Sequence, residues 1–322
     1  MSAIVYHASH EQFSPSLLLK YVKLAEDAGF DAIHSSDHFH PWSVRQGQSG
    51  FSFSWIAAAL QATRLPFSMV CAPGQRYHPA VAAQAMATLC EMFPGRINFE
   101  LGSGEALNEC ITGEKWPAKE IRNERLLECV HIIRKLLKGE EVSFRGHVVV
   151  KEAKLYTLPS TPPLVFCAAI SEETSRWAGV WADGLLTTAG PVDEIKKKID
   201  AFYQNGGQDK PVYLQYSFSY AQSKEEAEKG AFDQWRTNML PREKLADMYR
   251  VKDFDEAAKS LTLEDVKDSI PVFTSIDELK AEIKTLESTG AQAIVLHNVN
   301  TQQETFIRDF GKKFKSSPPG NH

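Results

Sequence analysis

Residues Phe30 to Trp42 read Phe-Asp-Ala-Ile-His-Ser-Ser-Asp-His-Phe-His-Pro-Trp. The apolar run that opens this stretch stops abruptly at polar residues and a proline, a pattern typical of a buried strand that delivers side chains to a rim. The polar part holds Asp37, His38 and His40, and the indole at its end adds a flat apolar wall beside groups that titrate near neutral pH. Two interpretations stay open: a functional cluster, and a loop with accidental histidines.

Composition and charge narrow the class of protein. The 322 residues are 43% hydrophobic and 24% charged, which fits a soluble globular chain and neither a disordered nor a fibrous one. The net charge is −5 with no basic tract, which argues against nucleic acid and anionic membranes as partners. The five cysteines form no CxxC pair, so we expect no disulfide framework and a cytoplasmic location. With no leader-like start, we expect neither export nor membrane insertion.

Strand-like and helix-like runs alternate along the chain. Each strand is nearly continuous in apolar character, as expected when helices cover both faces of a parallel sheet. No GxGxxG follows the first strand, and we predict an α/β fold, a (β/α)8 TIM barrel with insertions, rather than an open doubly wound sheet. The eight predicted strands lie at 3–8, 30–33, 67–72, 96–102, 164–169, 184–188, 212–219 and 293–297.

The domain assignment follows from this alternation. We assign residues 1–312 to one barrel domain, with insertions near 103–117, 140–160 and 238–275, and 313–322 to a disordered tail. The active site of such a barrel lies at the carboxyl ends of its strands. Four segments fall there and are expected to form one site: His7, residues 34–42, residues 72–77 and residues 102–109.

A second polar cluster, Leu101 to Glu109, reads Leu-Gly-Ser-Gly-Glu-Ala-Leu-Asn-Glu. Its glycines let the backbone approach a ligand, and its N–H groups can face an anion or a ring carbonyl. Glu105 is expected to point into the site, although an ordinary turn before a helix uses the same glycines. Arg76, after the third strand, fits a phosphate or carboxylate ligand and a structural ion pair equally well.

The pair His38 and His40 also fits a zinc site at a barrel strand end. A metal-dependent hydrolase needs further ligands on later strands, where His297 is the one obvious candidate. The intervening strand ends instead offer Ile170-Ser171, Thr187-Thr188 and Ser217-Phe218-Ser219. We predict no metal and keep a metal-dependent barrel hydrolase as a remote alternative.

Three stretches together resemble the luciferase-like flavin-dependent oxidoreductases: Ser36 to Trp42, Arg76 to Ala80, and Gly102 to Glu109. Within that class the chain is similar to the branch of glucose-6-phosphate and alcohol dehydrogenases that use the deazaflavin F420, and most similar to a subgroup that uses FMN. The resemblance covers nearly the whole chain. It implies a TIM barrel with an isoalloxazine-type ring in its mouth, and a homodimer.

The resemblance also implies roles for individual residues. His38 is then the catalytic acid-base, Glu105 exchanges a proton at the flavin or substrate, and Trp42 stacks near the substrate. Substrate positions are Glu11, His40 and Thr188. A non-prolyl cis peptide is expected behind the ring, at Met69-Val70. The cofactor-binding positions are Asp37, Met69, Val70, Ala72, Ser103, Gly104, Asn108, Ile170 and Ser171.

The departures from the family pattern concern charge. The two lysines and the arginine that hold phosphate in the sugar-phosphate dehydrogenases fall at Pro191, Glu256 and Ser269, so we expect a small non-phosphorylated organic substrate. A glycine pair near the cofactor phosphate is replaced by Ile170 and Ser171, which favours FMN, with F420 as the alternative.

We therefore predict a flavin-dependent oxidoreductase, either a monooxygenase or a dehydrogenase, that transfers a hydride between flavin and substrate with His38 and Glu105 as acid and base. NAD(P)H or a flavin reductase is the expected electron source. The alternative classes are an F420-dependent alcohol or sugar dehydrogenase, the hydrolase named above, and a flavin-binding protein without catalysis.

Overall fold

The computed structural model describes residues 1–267 and 269–314. Its strands are β1 (Ala3–Ala8), β2 (Ala32–Ser35), β3 (Phe67–Cys71), β4 (Ile97–Leu101), β5 (Val142–Arg145), β6 (Val149–Ala153), β7 (Val165–Ala168), β8 (Gly184–Thr188), β9 (Val212–Tyr220), β10 (Val272–Phe273) and β11 (Ala293–Asn298). Its helices are α1 (Pro15–Ala28), α2 (Ser52–Ala62), α3 (Pro79–Met92), α4 (Ala106–Glu109), α5 (Lys119–Leu137), α6 (Glu172–Gly179), α7 (Val192–Phe202), α8 (Lys224–Trp235), α9 (Arg242–Asp247), α10 (Val251–Ala257), α11 (Leu263–Lys267), α12 (Ile276–Glu287) and α13 (Gln303–Phe314).

Eight of the described strands close into a parallel barrel. Their order is β9-β11-β1-β2-β3-β4-β7-β8, and β8 pairs with β9 to complete the ring. The predicted (β/α)8 TIM barrel is therefore confirmed. The two-residue strand β10, which no pattern predicts, pairs with the end of β9 beside the ring.

Side chains alternate between the helix layer and the barrel interior, because successive residues of a strand point to opposite faces. In β1, Tyr6 belongs to the large core that the helices share, whereas Val5 belongs to a separate apolar cluster with residues of β8 and β11. This second cluster fills the barrel. His7 follows the same alternation and points into the barrel, one layer nearer the carboxyl ends of the strands.

Local sequence signals set the ends of α1. Ser14 has extended backbone, and Pro15 takes the first helical position, where its missing N–H is not needed. Gly29 ends the helix with φ 92° and donates its N–H to the carbonyls of Ala25 and Glu26, a left-handed geometry that favours glycine. The sequence predicts a helix that starts at Ser14-Pro15 and ends at Gly29, and the structure confirms both ends.

Three segments interrupt the regular alternation. Residues 103–117 hold α4 and a 3-10 turn at Cys110–Thr112, and 140–160 hold the antiparallel hairpin β5-β6. Residues 238–275 hold α9, α10, α11 and β10, and Phe254 of α10 packs there with Leu107 and the half-buried Trp42. The third segment thus packs against the loops of the barrel mouth.

The predicted tail begins too early. Helix α13 continues to Phe314, so residues 313 and 314 are helical, since the apolar stripe of α13 extends to Phe314, which stacks on Phe310. The remainder of the predicted tail lies outside the described residues. Within the described part of the chain, no helix is both long enough and apolar enough to cross a membrane.

Candidate active site

His38 lies in the loop after β2, between two polar partners. Its Nε2 is 3.1 Å from Glu11 Oε1, its Nδ1 is 2.9 Å from Asn108 Nδ2, and its side chain is 15% exposed. The rings of His38 and Trp42 lie 5.4 Å apart. Four predicted site residues, from the loops after β1, β2 and β4, therefore meet at one point of the barrel mouth.

Asn108 determines which ring nitrogen of His38 carries the proton. Its Oδ1 accepts hydrogen bonds from the backbone N–H groups of Phe39 at 2.9 Å and His40 at 3.3 Å, so its amide nitrogen must face His38. An amide nitrogen donates and does not accept. His38 Nδ1 is therefore the acceptor, and neutral His38 carries its proton on Nε2, toward Glu11.

Glu11 is buried and hydrogen-bonded. Its Oε2 accepts from the hydroxyls of Ser9 at 2.7 Å and Ser36 at 3.0 Å. Burial raises the pKa of Glu11, but His38 and the Ser9 hydroxyl outweigh this effect, and the pKa lies below its ordinary 4.5. Glu11 is consequently a carboxylate at neutral pH and accepts the Nε2 proton of His38 in a hydrogen bond.

Glu105, which directly precedes α4, is half-buried, and no described residue donates a hydrogen bond to its carboxyl group. Burial raises the pKa of Glu105, and the negative charges of Glu11 and Glu109 act in the same direction, against the lowering effects of His38 and Arg76. The pKa of the Glu105 carboxyl group therefore lies above the ordinary value of a glutamate, a shift typical of groups that exchange protons in active sites.

A buried ion-pair network lies beside this group. Arg76 donates from Nη2 to Asp37 Oδ2 at 2.8 Å and from its backbone N–H to Glu109 Oε2 at 2.7 Å, and Tyr77 donates its hydroxyl to Asp37 Oδ1 at 3.1 Å. Burial lowers the pKa of Arg76, but Asp37, Tyr77 and Glu109 raise it above the ordinary value. Of the two interpretations of Arg76, a ligand-binding residue or a member of a structural ion pair, the structure favours the ion pair. Both carboxylate oxygens of Asp37, a predicted flavin ligand, are used in this network.

The glycine turn brings the loop after β4 close to the loop after β3. Gly104 has φ 84°, and a Cβ there would lie 2.8 Å from Glu109 Cγ and 3.4 Å from Ala72 Cβ. Only glycine fits such a left-handed, close-packed position without strain. Two predicted cofactor positions, Gly104 and Ala72, are thus in contact, and the half-buried Ser103 precedes them.

Gly102 leaves open space next to β7 at the carboxyl ends of the strands. A Cβ added to Gly102 would meet just one neighbour within 4 Å, Ala168 Cβ at 3.8 Å. Val70, Ala168 and Thr188 are half-buried at the ends of their strands, and Ile170 is 50% exposed. Two predicted cofactor positions, Val70 and Ile170, are thus accessible.

The prediction of a cis peptide at Met69-Val70 is wrong, since no cis bond occurs among the described residues. Strand β3 keeps a regular parallel register with β4 through both residues, Met69 opposite Phe99 and Val70 opposite Glu100. The Met69 side chain is fully buried in the core shared with the helices. Met69, a predicted cofactor-binding residue, therefore points its side chain away from the mouth.

The start of α6 does not favour a phosphate. Ser171 accepts a hydrogen bond from the Thr174 N–H at 3.2 Å and so caps its own helix. Glu172 and Glu173 occupy the first turn, and their charges oppose an anion at that end.

His40 turns away from His38. Its Nδ1 donates to the carbonyl of Leu107 at 2.8 Å, so the two histidines have different partners. Among the described residues, no group of three or more His, Cys, Asp or Glu side chains is arranged to hold a metal ion. Thr188, the last predicted substrate contact, ends β8, and its carbonyl accepts from Lys198 Nζ at 2.6 Å.

Two contributors to the site have no role predicted from the sequence. Ser9 bonds Glu11, and Glu109 pairs with Arg76. Glu109 closes the Glu-Ala-Leu-Asn-Glu stretch, and its spacing of four from Glu105 is a usable signal, because residues four apart lie on one face of a helix. The sequence around Ser9 offers no comparable signal.

A TIM barrel whose mouth holds a histidine between a carboxylate and an amide, beside a carboxyl group without a partner, has the acid-base groups of an enzyme that moves a hydride and a proton. The family model "Luciferase-like monooxygenase" matches residues 3–293. The chain belongs to this family, and the predicted flavin- or deazaflavin-type oxidoreductase is confirmed at that level.

Relatives with assigned activities cover the whole chain. F420-dependent glucose-6-phosphate dehydrogenases of Microbacterium testaceum and Tsukamurella paurometabola are 32% and 34% identical to it, over 96% and 95% of this chain and 95% and 94% of their own. A solved structure, an F420-dependent secondary alcohol dehydrogenase in complex with an F420-acetone adduct, superposes with a TM-score of 0.88 at 28% identity and covers 97% of both chains.

Proposed function

We propose that this protein is an F420-dependent dehydrogenase that transfers a hydride between the deazaflavin and a small non-phosphorylated alcohol or its ketone. The observation that carries the proposal is the placement of His38 against the Glu11 carboxylate, with Glu105 free of hydrogen bonds nearby. Such a site can accept the hydroxyl proton of an alcohol while its hydride leaves.

The named relatives favour F420, the alternative cofactor of the sequence analysis, over FMN. Gly102 leaves open space next to Ala168, and Val70, Ser103 and Gly104 are partly exposed and so accessible to either ring. When bound, the cofactor supplies the hydride acceptor. FMN is the second candidate, because Ile170 and Ser171 stand where a glycine pair would admit the deazaflavin tail.

The fixed tautomer of His38 refines the proton chemistry. Since the Nε2 proton of His38 faces Glu11, that nitrogen presents a donor to a substrate oxygen and not a lone pair. Glu11 is ionised, and it is therefore the better acceptor for the hydroxyl proton. Glu105, whose pKa is raised by burial, exchanges a proton at the ring side of the mouth.

Charge around the mouth supports a neutral substrate. Arg76 is engaged by Asp37 and Glu109, and Arg45 Nη2 pairs with Asp255 Oδ1 at 3.1 Å. The three positions expected to clamp a phosphate hold no cation: Pro191 precedes α7, Glu256 lies in α10, and Ser269 follows α11. Trp42 and Phe254, 5.4 Å apart edge to face, add an apolar wall suited to an alkyl group.

The first test is a titration of the purified protein with F420 and, separately, with FMN, followed by absorbance. We then expect a simple secondary alcohol to bleach the bound F420, and glucose 6-phosphate to leave it unchanged. Bleaching by glucose 6-phosphate alone would refute the substrate class. Tight FMN binding with air reoxidation, or reduction by NAD(P)H, would favour the monooxygenase instead. Size measurements would test the predicted homodimer.

Two variants test the catalytic residues. His38→Asn and Glu105→Gln should bind cofactor normally but reduce turnover by about 10²- to 10⁴-fold, the usual contribution of a positioned acid or base. His131→Asn and Glu120→Gln, on the exposed face of α5, make the same chemical changes away from the mouth and should leave turnover unchanged. Full activity of both His38→Asn and Glu105→Gln would refute the acid-base roles of these two residues.

A further inference from the structure

A layer of ionisable side chains lies inside the barrel beneath the mouth. His7, His34, Glu100 and His297 come from β1, β2, β4 and β11 and are 5%, 1%, 0% and 3% exposed. The residues two positions before His7, His34 and His297 belong to or pack against the interior apolar cluster, and the two neighbours of Glu100 in β4 belong to the core shared with the helices. Strand alternation therefore turns all four side chains inward. The mechanism proposed above uses none of them.

Three of these side chains form a continuous chain of contacts. His7 Nδ1 and His34 Nδ1 lie 2.7 Å apart, so one of these nitrogens carries a proton and the other accepts it. His34 Nε2 lies 2.8 Å from Glu100 Oε2, off the direction of a hydrogen bond. Neither Glu100 oxygen accepts a hydrogen bond from the part of the chain that the structure describes.

An ionised carboxylate without hydrogen bonds is very costly in such surroundings, so it either keeps a proton or has a cation beside it. Among the described residues, no Arg or Lys pairs with Glu100, and its basic neighbour is His34. The other ionisable group near Glu100 is Tyr213 of β9, and burial and Glu100 both raise the pKa of its hydroxyl. A proton on the histidine pair is the counter-charge that this layer can supply to an ionised Glu100.

We infer that Glu100, His34 and His7 form a proton-binding site beneath the active site. Without the extra proton, His7 Nδ1–H donates to His34 Nδ1, and His34 Nε2–H faces the Glu100 carboxylate, for a net charge of −1. A proton that binds to His7 Nε2 releases the Nδ1 proton of His7 to His34 Nδ1. His34 is then an imidazolium beside the carboxylate, the net charge is zero, and every nitrogen between the rings keeps its bond.

The site communicates with the catalytic groups through charge. Burial lowers the pKa of His7, and His297, His34, His10 and His38 lower it further. On the adjacent strand β11, burial lowers the pKa of His297 to about 4, against a raising effect of Glu11. A positive His38 and a proton entering at His7 therefore oppose each other. The extra proton instead rests at His34, next to Glu100.

The test is ¹⁵N NMR of the histidine rings in the full-length protein without cofactor, from about pH 5 to about pH 9. His34, assigned by its loss in His34→Asn, should show two protonated ring nitrogens at neutral pH, with one N–H far downfield from the short contact with His7. A His34 that is neutral throughout this range would overturn the inference. This experiment does not depend on the folding of a Glu100 variant.

A second measurement isolates Glu100. In Glu100→Gln the ring of His34 should lose its second proton at pH 7, while its contact with His7 persists. An unchanged imidazolium at His34 in this variant would also refute the site. Because the readout is the protonation of the protein itself, its failure is distinct from a failure of the proposed dehydrogenase activity.

Discussion

Replacing Asn108 by Asp should favour the protonated ring of His38 over the neutral ring. The aspartate is nearly isosteric, and its oxygens can accept from the backbone N–H groups of Phe39 and His40 as Asn108 Oδ1 does at 2.9 and 3.3 Å. Its second oxygen, however, requires a proton on His38 Nδ1. Glu11 already holds the proton on Nε2 at 3.1 Å, so both ring nitrogens become protonated.

The size of the effect follows from the new contact. A charge-assisted hydrogen bond contributes about 1.5–3 kcal/mol, and 1.36 kcal/mol corresponds to a factor of ten between two protonation states. The protonated form of His38 is therefore favoured about 10- to 100-fold more than in the parent. Because His38 is 15% exposed, water weakens the attraction little. The acidic limb of the rate profile should move up by about 1–2 pH units.

The assay is kcat/KM for a secondary alcohol with F420, measured across pH. A cationic His38 would pair with the Glu11 carboxylate and weaken it as the proton acceptor. Asn108→Asp should therefore be slow at neutral pH and recover toward the parent rate in alkaline solution, with unchanged cofactor affinity. Asn98→Asp is the matched control, because Asn98 Oδ1 also accepts a backbone N–H, from Leu164 at 3.0 Å, but near the opposite end of β4. A parent-like profile for Asn108→Asp would show that Asn108 does not set the tautomer.

Three further predictions concern stability and substrate binding. Arg76→Met leaves two buried carboxylates without their cation and should lower the unfolding free energy by about 3–5 kcal/mol, measured with urea; a loss below about 1 kcal/mol would contradict the buried network. The raised pKa of Glu105 means that the folded protein binds more protons than the unfolded chain, so its contribution to stability is complete below 4.5 and is lost as the pH rises through the raised pKa. Glu105→Gln should therefore be more stable than the parent at pH 8 and equal to it in acid; equal stability at both pH values would exclude the shift. Phe254→Ala removes a fully buried ring at a cost of about 3–5 kcal/mol, and by freeing Trp42 it should raise KM for the alcohol more than it lowers kcat; an unchanged KM would exclude Trp42 from the substrate wall.

The sequence predicts the barrel well because its signals are local. The sequence predicts a helix at 79–92 and a strand at 184–188, and the structure has α3 and β8 within the same bounds. A proline at the first helical turn and a short apolar run next to glycine act over a few residues. Strand β10 has no such signal, since Val272 and Phe273 are a strand through their pairing with Ser219 and Tyr220, far away in the chain.

The site is predictable to the extent that barrel geometry gathers strand ends. His38, Glu105 and Glu11 meet because the carboxyl ends of parallel strands share one rim. The partner of each side chain is not predictable in this way. Arg76 fits a ligand site and an ion pair equally until Asp37 and Glu109, from two other loops, close around it. Asn108 likewise gains its role from a backbone turn 68 and 69 residues away.

The buried carboxylates of this barrel fall into two electrostatic groups. Asp37 and Glu109 face Arg76, whose charge is permanent, and that network fixes the loops of the mouth. Glu11 and Glu100 face histidines, His38 and His34, whose charge changes with one proton. Fixed charge therefore supports the walls, whereas the charges next to the reacting groups change by proton movement. In the reaction proposed above, a bound ring would gain negative charge with the hydride, and protons on these histidines would balance that charge.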